Sequence, residues 1–316
     1  MATSPATPSP LPAAPATEER IGFLLVFLAA LAWSLGGTIG RFLGENDAWT
    51  NVFWRSFWAA AFLLGFMLWR DGLRGMIGLF RAMGLPGLVV AACFATASTA
   101  FVVALSYTTV ANILLMQAGA PLIAALLAFL FFRERISLAT WVAIVVVIAG
   151  VAVMVSDSLD GKVSPVGDGL ALLIVVVFSL ATVLTRRFAD VRMTPAVCLG
   201  TLMAGAFALT QAASLAVSAV DMGFLFAFGA VNLGLGLALF SIGARLIPAA
   251  YAALLATFET LLGPVWVWLV HGEVPSQRTL VGGSIVFAAL LVHIGLEFRR
   301  QMRPQRPGTT GLPLPD

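Results

Sequence analysis

Apolar runs, each about 20 residues long, follow one another along nearly the whole chain. They fall at residues 21–41, 49–69, 84–106, 109–132, 138–156, 168–186, 194–219, 222–243, 248–270 and 279–298. A half-buried strand alternates apolar and polar positions, and a soluble amphipathic helix keeps one polar face. These runs do neither, and about 20 consecutive apolar residues are what one helical crossing of a bilayer requires. The pattern predicts an all-α, polytopic membrane protein of ten transmembrane helices. The connections are so short that successive helices must run antiparallel.

Composition sharpens this picture. Hydrophobic residues make up 60% of the 316 and charged residues 10%, with a mean hydropathy of +0.99; a soluble domain carries about 25% charged residues. The net charge of +3 does not argue for a nucleic-acid partner, because the basic residues sit in short loops, where they report topology. With both termini on the cytoplasmic side, fourteen Lys and Arg face inward, three (Arg41, Lys162, Arg278) face outward, and Arg55 lies inside a helix. That asymmetry favours ten crossings, because nine or eleven would break the alternation. It implies a multi-pass protein of the cell inner membrane. Cys93 and Cys198 lie within apolar runs and read as small hydrophobes.

The second half of the chain repeats the first. Residues 120–151 align without gaps on residues 259–290, placing Glu134 on Glu273, and "AWSLGG" in the first helix pairs with "VFSLAT" in the sixth, Ser34 on Ser179. The expected organisation is a tail at residues 1–20, a five-helix repeat at 21–156, a second at 168–298, and a tail at 299–316. Both tails are Pro-rich and read as disordered and cytoplasmic. A repeat of five helices inserts its two copies with opposite orientation, and inverted repeats build alternating-access carriers with the site near the midplane.

The stretches "ANILLMQAGAPLIAALLAFLFFRERIS", "FETLLGPVWVWLVHGEVPS" and "AWSLGGTIGR" resemble the fourth-, ninth- and first-helix signatures of EamA-type proteins of the drug/metabolite transporter superfamily. The resemblance spans about residues 20 to 298. It implies a ten-helix carrier of small metabolites with cytoplasmic termini. "ETLLGPVWVW" is most similar to the amino-acid exporter branch. One departure stands out: the ninth-helix proline usually follows the Glu directly, whereas here Thr260 follows Glu259 and the proline is Pro264.

Candidate site residues are those that a bilayer would reject without a role. Glu259 lies near the middle of the ninth run, and its helical face (Ala252, Leu255, Ala256, Leu262, Gly263, Trp266) is small and interior-like. It could receive a substrate ammonium or carry a coupled proton. The bland alternative is a neutral Glu bonded to a neighbouring helix. Arg55 could grip a substrate carboxylate or serve as scaffold. Asn232 could line a cavity or make an interhelical hydrogen bond. Gln117 lies beside a carbonyl that Pro121 leaves without a donor. Trp33, Ser34 and Trp266 could contact cargo or fill the bundle. Pro121 and Pro264 are expected to mark hinges. Glu134 and Glu273, at helix ends, read as anchors or ion pairs. No HExxH, GxSxG or intramembrane Asp pair is present, so neither an enzyme nor a resident metal or cofactor is expected. The leading expectation is a secondary carrier exporting amino acids. Nucleotide sugars are the rival cargo, disfavoured because phosphates call for several intramembrane cations, and a channel is a weaker rival still.

Overall fold

The computed structural model describes residues 16–43, 47–134, 136–159 and 164–301. Of the expected tails at 1–20 and 299–316, residues 1–15 and 302–316 lie outside these residues, as does Lys162, and residues 299–301 form the end of the last helix. Residues 16–20, expected in the tail, form the start of the first helix.

Among the described residues, nine helices are long and apolar enough to cross a membrane, ten when one bent pair counts as a single span. Span 1 is α1 (Ala16–Ser34) continued by α2 (Gly36–Phe42), with Leu35 as the single turn residue between them. Spans 2 and 3 are α3 (Ala48–Ala82) and α4 (Gly84–Ala104). Span 4 is the bent pair α5 (Val110–Gln117) and α6 (Ala120–Phe132), which meet at 43°. Spans 5, 6 and 7 are α7 (Leu138–Leu159), α8 (Pro165–Arg187) and α9 (Thr194–Gln211). Span 8 is α10 (Ala219–Phe226), a π-helical segment (Ala227–Leu235) and α11 (Gly236–Gly243). Spans 9 and 10 are α12 (Ala249–His271) and α13 (Gln277–Gln301).

The second helix runs past its expected end at residue 69. Gly72 adopts φ 67° and ψ 171°, a region essentially reserved for glycine. It turns the chain so that residues 73–82 form a separate short helical arm. Asp71 beside it receives both guanidinium nitrogens of Arg192, at 2.7 and 3.2 Å, which ties this turn to the loop between spans 6 and 7.

Packing follows the repeat. Span 1 packs on spans 8 and 9; its counterpart, span 6, packs on spans 3 and 4. Span 2 packs on span 7 and span 5 on span 10, each pair joining equivalent helices. The heaviest packing is therefore between repeats, and the two copies share one interior. Gly150 and Gly282 bring spans 5 and 10 into backbone contact, since a Cβ on Gly150 would lie 2.8 Å from the carbonyl of Gly282. At the face opposite the chain ends, α12 also packs on α5 and α2.

Candidate functional site

Span 1 breaks where its sequence is weakest. Ser34, Gly36 and Gly37 follow one another closely, and glycine in a helix interior costs about 1 kcal/mol relative to alanine. Carbonyls in the last turn of a helix lack intrahelical donors. Asn232 supplies them: its Nδ2 donates to the carbonyl of Ala32 at 2.7 Å and of Trp33 at 3.1 Å. Ser34, fully buried, donates to the Leu31 carbonyl at 2.7 Å and accepts from Trp266 Nε1 at 3.0 Å. Trp33 packs on Phe240, ring centroids 5.3 Å apart. Trp33, Ser34, Asn232 and Trp266 thus converge on one point, the break in span 1.

Glu259 stands about 10 Å from Trp266, seven residues back along α12 at 1.5 Å per residue. Span 9 shows lipid an exposed row of Leu254, Phe258, Leu261, Val265 and Trp268. Glu259 lies on the other face, with buried Ala252 and Gly263. It is half-buried, and among the described residues no hydrogen bond or ion pair reaches its carboxylate. Gln117 is similar: half-buried, at the end of α5, with no hydrogen bond to its amide among the described residues. Pro121 begins the second half of that span, whereas α12 runs through Pro264 without interruption.

Arg55 is placed elsewhere. Buried at 6% exposure, it donates to Ser98 Oγ at 2.6 Å and lies over the Phe228 ring at 4.3 Å. These contacts join spans 2, 3 and 8, a scaffold arrangement with a cation–π component.

Two polar clusters bring in residues that the sequence did not single out for the site, Asp168 with Asn112 in one and Arg41, paired with the helix-end Glu273, in the other. Asp168, 3% exposed in the first turn of span 6, accepts from Asn112 Nδ2 at 2.6 Å, and the same nitrogen donates to Thr108 Oγ1 at 3.0 Å. Arg41 pairs with Glu273 at 2.6 Å, and its other contacts are the carbonyls of Leu105 and Thr108. Asp168 lies 56 residues from Asn112, and Leu105 and Thr108 lie 64 and 67 residues from Arg41; only Thr108, four residues from Asn112, is local. The only local signals were Asp168 in a helix first turn and Arg41 and Glu273 at helix ends. Glu134 and Glu273 both form ion pairs at span ends.

No group of three or more His, Cys, Asp or Glu able to hold a metal occurs among the described residues. The chemistry on offer is recognition: a carboxylate and an amide that, among the described residues, have no side-chain partner.

Comparison with known proteins agrees on the architecture. A solved crystal structure, titled only as that of a protein, superposes with a TM-score of 0.63 at 18% identity, covering 92% of this chain and 100% of its own. That likeness establishes the fold. No curated protein sequence matches the chain. The EamA-like transporter family matches it twice, over residues 20–156 and 165–295, one match for each repeat. The chain belongs to the EamA-like transporter family, a multi-pass membrane transporter of the drug/metabolite type.

Proposed function

We propose that this transporter is a secondary carrier of the cell inner membrane that exports small zwitterionic metabolites, amino acids foremost, by alternating access. The observation that carries the reading is Glu259. A carboxylate in mid-membrane that faces the bundle and meets no donor among the described residues is costly to keep. A substrate ammonium, or a coupled proton, would offset that cost. Gln117, free at the break of span 4, can add an amide contact to the same cargo. Phosphate-bearing cargo fits less well, because Arg55 is engaged by Ser98 and Phe228 and Arg41 by Glu273. Trp33, Ser34, Asn232 and Trp266 support the site by holding span 1 against spans 8 and 9.

Counterflow in proteoliposomes tests this reading. Vesicles loaded with unlabelled amino acids should accumulate the labelled ones, and vesicles loaded with nucleotide sugars should not. Uptake driven by nucleotide sugars alone would overturn the cargo class, and leak without exchange would indicate a channel. A reporter fused after Asp157 should be periplasmic and one after Arg192 cytoplasmic; the reverse would overturn the orientation.

A further inference from the structure

The registers that align the two repeats, carried to the ends of the spans, match Arg41 with Arg186 and Glu134 with Glu273. The structure joins these four residues as two equivalent ion pairs, Arg41–Glu273 between spans 1 and 9 and Arg186–Glu134 between spans 6 and 4, each at 2.6 Å. The pairs sit at opposite ends of the bundle, the second on the face that carries both chain ends. The neighbouring loops match as well. Ser106 and Tyr107 donate to the carbonyls of Val103 and Ala104, and their counterparts Arg245 and Leu246 donate to those of Ile242 and Gly243.

What is attached to the two pairs differs. Arg41 also donates to the carbonyls of Leu105 and Thr108, the latter at 2.7 Å, and Glu273 accepts the backbone N–H of Val110 at 2.7 Å. Spans 1 and 9 are thereby fastened to the loop between spans 3 and 4 and to the start of span 4. The counterparts of those three backbone groups are the carbonyls of Ala244 and Ile247 and the N–H of Ala249. Among the described residues, the side chains of Arg186 and Glu134 bond only to each other. The side chains of the fastened pair are 23% and 16% exposed, those of the other 63% and 45%.

We propose that the two pairs are the two gates of the carrier, caught with the Arg41–Glu273 gate shut and the Arg186–Glu134 gate open. In the alternate state Arg186 donates to the carbonyls of Ala244 and Ile247, and Glu134 accepts the N–H of Ala249. Arg41 and Glu273 then release residues 105–110 while staying paired. One set of charge-assisted hydrogen bonds is exchanged for a matching set, which keeps the two states close in free energy. The inference rests on the alternating-access reading but not on the identity of the cargo.

Thiol access reads the gates without any substrate. Both native cysteines are buried, so a cysteine placed at Gln117 can be followed with a membrane-impermeant maleimide applied to either face of the vesicles. In the parent Gln117→Cys protein, labelling should come from the face of the chain ends. Adding Arg41→Gln or Glu273→Gln should raise labelling from the opposite face about tenfold, the population shift expected on losing charge-assisted hydrogen bonds. Unchanged access from that face in both variants would overturn the proposal. If those variants fail to fold, Arg187→Cys with Leu246→Cys tests the open gate directly. Their counterparts Phe42 and Tyr107 flank the shut gate. A short reducible bis-maleimide should join the two cysteines and arrest counterflow until it is cleaved. No cross-link, or a cross-link that leaves turnover intact, would overturn the gate assignment, whichever metabolite the carrier moves.

Discussion

The first repeat breaks spans 1 and 4 within the membrane, and the second keeps their equivalents, spans 6 and 9, whole. Span 1 stops at Ser34 and restarts at Gly36, while span 6 runs from Pro165 to Arg187 unbroken. Span 4 bends by 43° between Gln117 and Ala120, while span 9 continues from Ala249 to His271. The sequence differences are small. Gly36 and Gly37 have Ala181 and Thr182 as counterparts, and Gly119, Ala120 and Pro121 have Phe258, Glu259 and Thr260. Two glycines cost about 1 kcal/mol each in span 1, and Gly119 with Pro121 weakens span 4, yet Gly263 and Pro264 leave span 9 continuous, so local sequence weakens these helices and packing decides which of them breaks. The second repeat then stabilises the breaks of the first, with Asn232 on the carbonyls of Ala32 and Trp33 and Ser179 Oγ on the carbonyl of Ala120 at 2.9 Å. Glu259 stands on an unbroken helix, and the backbone breaks belong to spans 1 and 4. In these two pairs of equivalent helices the break falls in the first repeat, whereas in spans 3 and 8 it is the second repeat that carries the irregular, π-helical segment.

Glu259→Gln should have the largest effect on that contrast. Gln keeps the shape and the hydrogen-bonding capacity and loses the charge. If the charge recognises an ammonium or carries the proton, transport should fall by about a hundredfold or more, the range for an intramembrane charge made to meet a ligand. The protein should still fold, because no described residue depends on that carboxylate. Counterflow at several pH values, alongside thermal unfolding in detergent, measures both. Wild-type rates at every pH would remove Glu259 from the mechanism and leave the unbroken helix without its distinguishing feature.

Asn232→Ala should produce the next largest effect, and on stability more than on transport. It strips the carbonyls of Ala32 and Trp33 of their side-chain donor inside the bundle. The expected loss is about 1–3 kcal/mol, the cost of leaving buried acceptors unmade, seen as a lower unfolding temperature. A transport defect without any loss of stability would instead assign Asn232 to the cargo.

Much of this fold was readable from local pattern. Twenty apolar residues announce a crossing wherever they occur, and a gapless repeat reveals the inverted symmetry, so the number of spans and their pairing needed no long-range information. The break in span 1 was half visible, as Gly36 and Gly37 beside Ser34, but glycines in a membrane helix signal close packing as often as a break. The kink at Gly72 was hidden because nothing in "WRDGLRG" distinguishes a turn from an interfacial helix. Partnership was the least legible property. From sequence alone Arg55 reads equally as a cargo ligand or as scaffold, and its neighbours Ser98 and Phe228 are visible only in the folded bundle, as is Asn112 against Asp168, 56 residues away. Glu259 has no such partner among the described residues.

The smallest effects should come from the two prolines, and they test the comparison at its most literal point. Pro121 lies just past a break already present in span 4, so Pro121→Ala restores the N–H that could bond to the Gln117 carbonyl and straighten the span. Gly119 still weakens the helix there, so straightening should be partial and turnover should fall by several-fold, the loss expected when a hinge position changes. Pro264 lies within a helix that continues regardless. Pro264→Ala gives the Thr260 carbonyl a donor and stiffens a span that is already whole, so its effect should be the smaller, about twofold in turnover. Expression and unfolding temperature should change little in either variant. The measurement is the ratio of the two counterflow rates. Equal slowing would mean that both spans flex and that the difference between the repeats is static; a larger loss at Pro264 would place the moving part on the unbroken helix and reverse the assignment.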